Sequence, residues 1–219
     1  MKSLVLIPCY NTHKYLSNLI SLIISQTENA ILIFDDGSSP ALNIDKFSNN
    51  NINLIRNNTN KGKGYCIIFG FRYALENGYT HVITMDGDMQ HDPMEINKFI
   101  NYKDGNDFLL GYRRFSKPMP ISRIISNSIT SQIISILKGK KIYDSQCGYR
   151  RYKLESIKNF TFKENGYLFE SEILLTCISK NTNIDNLKIK AIYDGSPSHI
   201  NKITDSIKFI NLITRYIFA

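Results

Sequence analysis

The sequence predicts an α/β domain with a mostly parallel central sheet flanked by helices. Three observations predict it. Short, unbroken apolar runs alternate with stretches whose apolar residues recur at helical spacing. The runs lack the in–out alternation of a half-exposed sheet, so both faces of each strand are expected to be covered. Polar clusters follow the runs directly, at the carboxyl ends of the strands, where open parallel sheets bind ligands.

The elements follow in order. Leu4 to Ile7 reads as a buried strand stopped by Pro8, and His13 to Gln26 as a helix with Tyr15, Leu16, Leu19, Ile20, Leu22 and Ile23 close to helical spacing. Ile31 to Phe34 is a second strand, ended by Asp35-Asp36-Gly37-Ser38, and Ile52 to Ile55 a third. Tyr65 to Asn77 reads as a helix entered through Gly62-Lys63-Gly64 and closed by Gly78. His81 to Met85 is a fourth strand running into Asp86-Gly87-Asp88, and Pro93 to Tyr102 a helix with proline in its first turn. Phe108 to Leu110 is a short strand. Beyond Gly111 the texture changes. Ile121 to Leu137 is an isoleucine- and serine-rich helix, Ile142 to Tyr152 is polar and aromatic, Tyr167 to Ser179 is a helix and Lys188 to Tyr193 a late strand. The asparagine-rich stretches Ser48 to Asn60 and Asn181 to Asn186 read as loops. Residues 1–200 are expected to form one domain, and 201–219 a C-terminal amphipathic helix for a membrane surface or an interface.

With 219 residues, 42% of them apolar and 21% charged, the chain has the makings of one good-sized core. The net charge of +8 favours anionic partners. The basic residues are scattered, with only short pairs such as Arg113-Arg114 and Lys140-Lys141, which argues against a nucleic-acid arm and leaves phosphorylated ligands and a lipid surface. Cys9, Cys66, Cys147 and Cys177 show no metal-finger spacing, and the first apolar run starts at Leu4 with almost no charged region before it. Reduced thiols and a cytoplasmic location are expected, with a place on the inner face of the cytoplasmic membrane open to the chain. No apolar run reaches the roughly 18 residues of a membrane span.

The acidic triplet carries the chemistry. Asp86 and Asp88 project from one side of a strand end and repel each other unless a cation lies between them. Mg²⁺ or Mn²⁺ favours one or two carboxylates completed by phosphate oxygens. Gly87 lets the backbone approach a ligand, and Gln90 and His91 lie within reach. Lys61-Gly62-Lys63-Gly64 lacks the phosphate-loop spacing, and a dinucleotide fingerprint would need glycine where Ile67 stands. His13, His81 and His199 show no metal spacing, and Glu170 and Glu172 fit a solvated helix face.

Six segments in order resemble the family 2 glycosyltransferases, which have the GT-A fold, and most of all the dolichyl- and polyprenyl-phosphate sugar synthases. They are Leu6-Ile7-Pro8-Cys9-Tyr10-Asn11, Phe34-Asp35-Asp36-Gly37-Ser38, Asn60-Lys61-Gly62-Lys63-Gly64, Met85 through Pro93, Gly111-Tyr112-Arg113, and Asp144 through Arg150. The resemblance extends to about Leu175. It implies that Pro8 and Tyr10 line the base pocket and that Asp36 bonds the nucleobase. It places Asn11 and Lys63 with the nucleotide sugar and Asp86 on its ribose or sugar side. Asp88 and Gln90, with Asp86, then hold the metal, Arg113 and Arg123 meet phosphate, and Asp144 is the candidate catalytic base or, for an acceptor phosphate already ionised, a positioning group.

The resemblance also implies inverting transfer of one hexose from a nucleotide-diphosphate sugar to a polyprenyl-phosphate or glycolipid acceptor in cell-envelope glycan synthesis. The Gln-x-x-Arg-Trp segment of processive synthases is missing, as is tryptophan altogether. Thr12 stands where the family often has an acid, and Ser198 and His199 stand in a late loop where the lipid-phosphate synthases usually carry arginine and lysine. A soluble or polysaccharide acceptor, a nucleotidyltransferase and a non-catalytic sugar-nucleotide-binding module are the other readings. Pro8-Cys9-Tyr10-Asn11 in place of a basic glycine-rich loop speaks against the second, and intact Asp36, Asp86 and Asp88 against the third.

Overall fold

The computed structural model describes residues 1–47, 51–113, 121–190, 192 and 202–218. Seven strands form one sheet: β1 (Ser3–Cys9), β2 (Ala30–Asp35), β3 (Ile52–Arg56), β4 (His81–Thr84), β5 (Phe108–Arg113), β6 (Arg150–Lys153) and β7 (Ile184–Ile189). Their order across the sheet is β3-β2-β1-β4-β6-β5-β7. Only β6 runs antiparallel to its neighbours. The helices are α1 (His13–Ile24), α2 (Lys63–Glu76), α3 (Ile96–Ile100), α4 (Ile121–Lys138), α5 (Phe169–Cys177) and α6 (Lys202–Ile217). The mostly parallel α/β sheet expected from the sequence is the one formed.

Successive strand residues point to opposite faces, and each face has its own core. Val5, Ile7, Ile31, Ile33, Ile83 and Leu109 pack with the apolar stripes of α1 and α3. Leu4, Leu6, Leu32, Phe34, Val82 and Phe108 pack against α2, α4, α5 and the inward residues Phe209 and Leu212 of α6. The far face of α6 leaves Ile207, Ile210 and Ile217 exposed.

Four expectations change. Pro8 does not stop β1, because it sits opposite Phe34 within the ladder. Leu6 O accepts from Met85 N on the β4 side and Cys9 O from Asp36 N on the β2 side. Pro8 N therefore faces past Thr84, where β4 has ended and no donor is required. The helix expected from Pro93 splits into a tight turn, Pro93–Glu95, whose first amide Met94 N is capped by Asp92 at 3.1 Å, and the short α3. β6 was not expected. Its Arg150 and Arg151 are buried in mid-sheet, and their guanidiniums find carbonyls, Cys147 O and Ser145 O for Arg150 and Phe99 O and Tyr102 O for Arg151. β7 starts four residues before the expected strand, because a sheet edge tolerates Asp185 and Asn186. Residues 48–50, the Arg123 side chain and the loop with Ser198 and His199 lie outside the described residues, as does the end of the expected strand at Tyr193. No described helix is long and apolar enough to cross a membrane.

Candidate active site

The carboxyl ends of β1, β2 and β4 meet in one region, and hydrogen bonds to the expected acids shape it. Asp35 Oδ1 accepts from Ser38 N at 2.8 Å, and Oδ2 from Leu42 N at 3.2 Å and Arg56 Nη1 at 2.5 Å. Burial pushes this carboxyl up, but the bonds from Ser38, Leu42 and Arg56 outweigh it and hold it below its ordinary value. Asp36 Oδ1 accepts from Asn57 Nδ2 at 2.7 Å and Lys61 N at 2.9 Å, and Oδ2 from Gly62 N at 2.7 Å. Both oxygens of Asp36 thus fasten the loop that leads into α2. Gly37 has φ +77°, and a Cβ there would lie 2.7 Å from the Thr59 backbone, so glycine is required. Asn11 N donates to Ser38 Oγ at 2.8 Å and Asn11 Oδ1 accepts from Ser39 N at 3.0 Å, joining the β1 and β2 loops. Pro8 is half-buried, and Tyr10 beside it is 51% exposed.

The acidic triplet follows β4. A Cβ on Gly87 would approach Cys9 Sγ to 2.7 Å, so glycine lets the turn pack on the end of β1. Asp86 pairs with Lys63, which also pairs with Glu170 Oε1 at 2.5 Å. Burial pushes the Asp86 carboxyl up, but Lys63 and then His91 pull harder the other way and bring it to about 2. Asp88, two residues on, is raised by its own burial and by the Asp86 charge, although Gln90 N donates to its Oδ1 at 3.0 Å. For Lys63, burial lowers the amine, while Asp86 and Glu170 raise it well above its ordinary value. The backbone after Asp88 turns through Met89 at φ +62°.

His91 is fixed otherwise. Its Nδ1 accepts from Asp86 N at 3.3 Å, and its Nε2 lies 3.7 Å from Cys147 Sγ. Among the described residues no three His, Cys, Asp or Glu side chains gather as a metal cage. Two carboxylates and the Gln90 amide remain, an oxygen donor set that fits a hard divalent cation completed by diphosphate oxygens and water.

Arg113, at the end of β5, forms a fork on Asp144, with Nε to Oδ2 at 2.8 Å and Nη2 to Oδ1 at 3.2 Å. Gln146 N also donates to Asp144 Oδ1, at 3.1 Å, and Asp144 is fully buried. The carboxylate expected as a base is thus enclosed, with both oxygens engaged by N–H donors. The solvated face expected of Glu170 and Glu172 is also corrected. Both are buried, Glu170 against Lys63 and Glu172 accepting from Lys163 N and Glu164 N, each at 2.9 Å. The signal was there in Phe169 and Ile173, apolar neighbours that carry the first turn of α5 inward.

Buried His91 makes the metal-free protein acid-sensitive. Burial is the main cause that lowers its ring from 6.5 to about 4, so the folded state holds it neutral where the unfolded chain binds a proton. Stability from this group is complete above about pH 6.5 and is lost as pH falls toward 4, by roughly 3 kcal/mol in all. His81 shifts the same way, to about 4. Denaturant titrations in chelator between pH 7 and 4.5 are expected to show this decline. His91→Asn, which keeps an acceptor for Asp86 N, is expected to flatten part of it, and an unchanged slope would contradict the assignment.

The profile of the family described as "Glycosyl transferase family 2" matches residues 4–163. The UDP-N-acetylglucosamine–dolichyl-phosphate N-acetylglucosaminyltransferase of Methanococcus voltae is 29% identical over 86% of this chain and 85% of the relative. The polyprenol monophosphomannose synthase of Mycolicibacterium smegmatis is 26% identical over 86% of this chain and 76% of the relative. The crystal structure of glucosyl-3-phosphoglycerate synthase from Mycobacterium tuberculosis, in complex with Mn²⁺, UDP and glucosyl-3-phosphoglycerate, superposes with a TM-score of 0.69 at 14% identity, covering 98% of this chain and 79% of that one. That likeness shows the fold, GT-A.

Proposed function

Since the chain belongs to glycosyl transferase family 2, we propose that this glycosyltransferase moves one sugar, with inversion, from a nucleotide-diphosphate donor to a polyprenyl phosphate at a membrane surface, with Mg²⁺ or Mn²⁺ as cofactor. The observation that carries the reading is the carboxylate pair beyond β4, with Asp86 held ionised by Lys63 and Asp88 pushed up beside it. Asp88 and Gln90 would hold the cation, with Asp86 beside them. The cation, when bound, supplies Lewis-acid neutralisation of the departing diphosphate.

The chain's own residues do the positioning. Tyr10 offers an exposed ring to the base, and Asn11 fixes the loop that carries it. Asp36 acts through the loop it fastens, presenting Lys61 and Lys63, rather than through the base itself. Arg113, aimed by Asp144, meets phosphate, and Arg123 in the first turn of α4 is a second candidate for it. An acceptor phosphate is already ionised at neutral pH, so in-line attack needs no base, in keeping with the enclosure of Asp144. A donor panel of UDP-, GDP- and dTDP-sugars with Mg²⁺ or Mn²⁺ is expected to give one nucleotide that raises the melting temperature by several degrees. If none does so, the donor site is misread.

Two findings favour the lipid acceptor. The relatives from Methanococcus voltae and Mycolicibacterium smegmatis carry dolichyl phosphate and polyprenol monophosphomannose in their names. Ile125, Ile129 and Ile136 also form an exposed stripe on α4, while Ile207, Ile210 and Ile217 form another on α6. Lys138 Nζ, donating to Leu175 O and Tyr216 OH, ties these two helices through α5. The chain is expected to float with anionic vesicles at low salt, and Ile129→Ser with Ile136→Ser to weaken that binding. A wild-type chain left in the pellet fraction would argue for a soluble acceptor.

A further inference from the structure

An ion-pair chain, Asp86–Lys63–Glu170, leads from the acidic triplet into the core. Lys63 opens α2 between two glycines. A Cβ on Gly62 would lie 2.3 Å from Asn165 O, and one on Gly64 2.4 Å from Glu164 O. Their absence lets the segment before α5 close over the lysine and brings Glu170 against it. Gly148 covers the opposite side, where a Cβ would stand 2.7 Å from Lys63 Nζ and 2.8 Å from Asp86 Oδ1. Glu170 is 3% exposed, and its Oε2 has no hydrogen-bond partner among the described residues. A carboxylate so poorly solvated is costly to keep, and Lys63 is the cation it faces. Backbone from three segments and a buried anion thus hold one ammonium on Asp86, next to Asp88.

We propose that Lys63, anchored by Glu170, is a built-in counter-cation that occupies Asp86 until a nucleotide diphosphate arrives, so that the divalent ion is taken up together with the donor and not before it. The proposal rests on reading Asp86 and Asp88 as the donor and cation site. With the lysine on Asp86, a free cation meets one uncommitted carboxylate, Asp88, which is a poor shell for Mg²⁺ or Mn²⁺. A diphosphate adds oxygens and negative charge, and it competes with Asp86 for the ammonium.

The test is the binding of Mn²⁺ itself, read from the electron paramagnetic resonance signal of the free ion, with no turnover involved. Lys63→Met combined with Glu170→Gln removes one positive and one negative charge, so that Glu170 leaves no charge behind in the core when its lysine is gone. The net charge around the site is unchanged, while Asp86 is released. This double variant is expected to bind Mn²⁺ alone on the order of tenfold more tightly than the wild type, and to gain much less from added UDP or GDP. Glu170→Gln alone, which leaves the lysine to Asp86, is expected to bind Mn²⁺ alone no better than the wild type. Gly148→Ala, which drives a methyl group into the ion pair from the other side, shares the expected direction of the double variant and serves if the latter does not fold. A folded variant of either kind with wild-type affinity for Mn²⁺ alone would overturn the proposal, provided the wild type takes up Mn²⁺ with a nucleotide. A wild type that takes up none with any nucleoside diphosphate would instead overturn the donor-site reading, and the counter-cation with it.

Discussion

Replacing Asp88 with alanine is expected to cut sugar transfer at least about a hundredfold, the scale of losing several kcal/mol of charge stabilisation on a departing diphosphate. The fold is not expected to suffer. Asp88 fastens only Gln90 N among the described bonds, at 3.0 Å. Its carboxyl is raised by burial and by Asp86, so the ionised group is held in the folded chain against its preference. Asp88→Asn, which keeps the shape and removes the charge, should therefore raise the melting temperature of the metal-free protein slightly while abolishing turnover. A gain in stability bought with activity is the mark of a functional carboxylate. Initial rates and melting curves on the same preparations check both halves, and an Asp88→Ala protein with wild-type turnover would remove Asp88 from the site.

Arg150→Met is expected to cost about 3 to 5 kcal/mol of stability, the range for emptying a buried charged network of one partner. The guanidinium is fully buried in β6 and donates to Cys147 O at 2.6 Å, Ser145 O at 2.7 Å and Glu170 O at 2.9 Å. It binds the loop that carries Gly148 to the first turn of α5 that carries Glu170. Methionine fills similar space but takes away the donor that Cys147 O, Ser145 O and Glu170 O share. Denaturant midpoints measure the loss. The variant should also bind donor more weakly, since both walls of the Lys63 cradle hang on this one side chain. A midpoint near that of the wild type would show that the carbonyls find other partners.

The same residue explains what the sequence conceals. β1, β2 and β4 are legible because Leu-Val-Leu-Ile, Ile-Leu-Ile-Phe and Val-Ile-Thr can only be buried strands in such a context. β6 is not, because Arg150 and Arg151 contradict every pattern of a central strand until the carbonyls that receive them are in place. The acids at the strand ends were legible as site residues, since Asp36, Asp86 and Asp88 each follow an apolar run. What each acid is committed to was not, because the partners of Asp36 lie 21 to 26 residues away and that of Asp144 lies 31 residues away. Glu170 was missed for a related reason. A carboxylate in the first turn of a helix looks solvated, and only the closure of residues 164–166 over the glycines beside Lys63 buries it.

The most direct measurement is transfer itself: a nucleotide sugar labelled in its sugar, vesicles containing polyprenyl phosphate, Mn²⁺, and extraction into organic solvent. The label is expected to move into the lipid fraction for one donor, to require the cation, and to stay in water with Asp88→Ala. Label that stays water-soluble with every donor, in the presence of polyprenyl phosphate and Mn²⁺, would contradict the assignment of a lipid-phosphate acceptor.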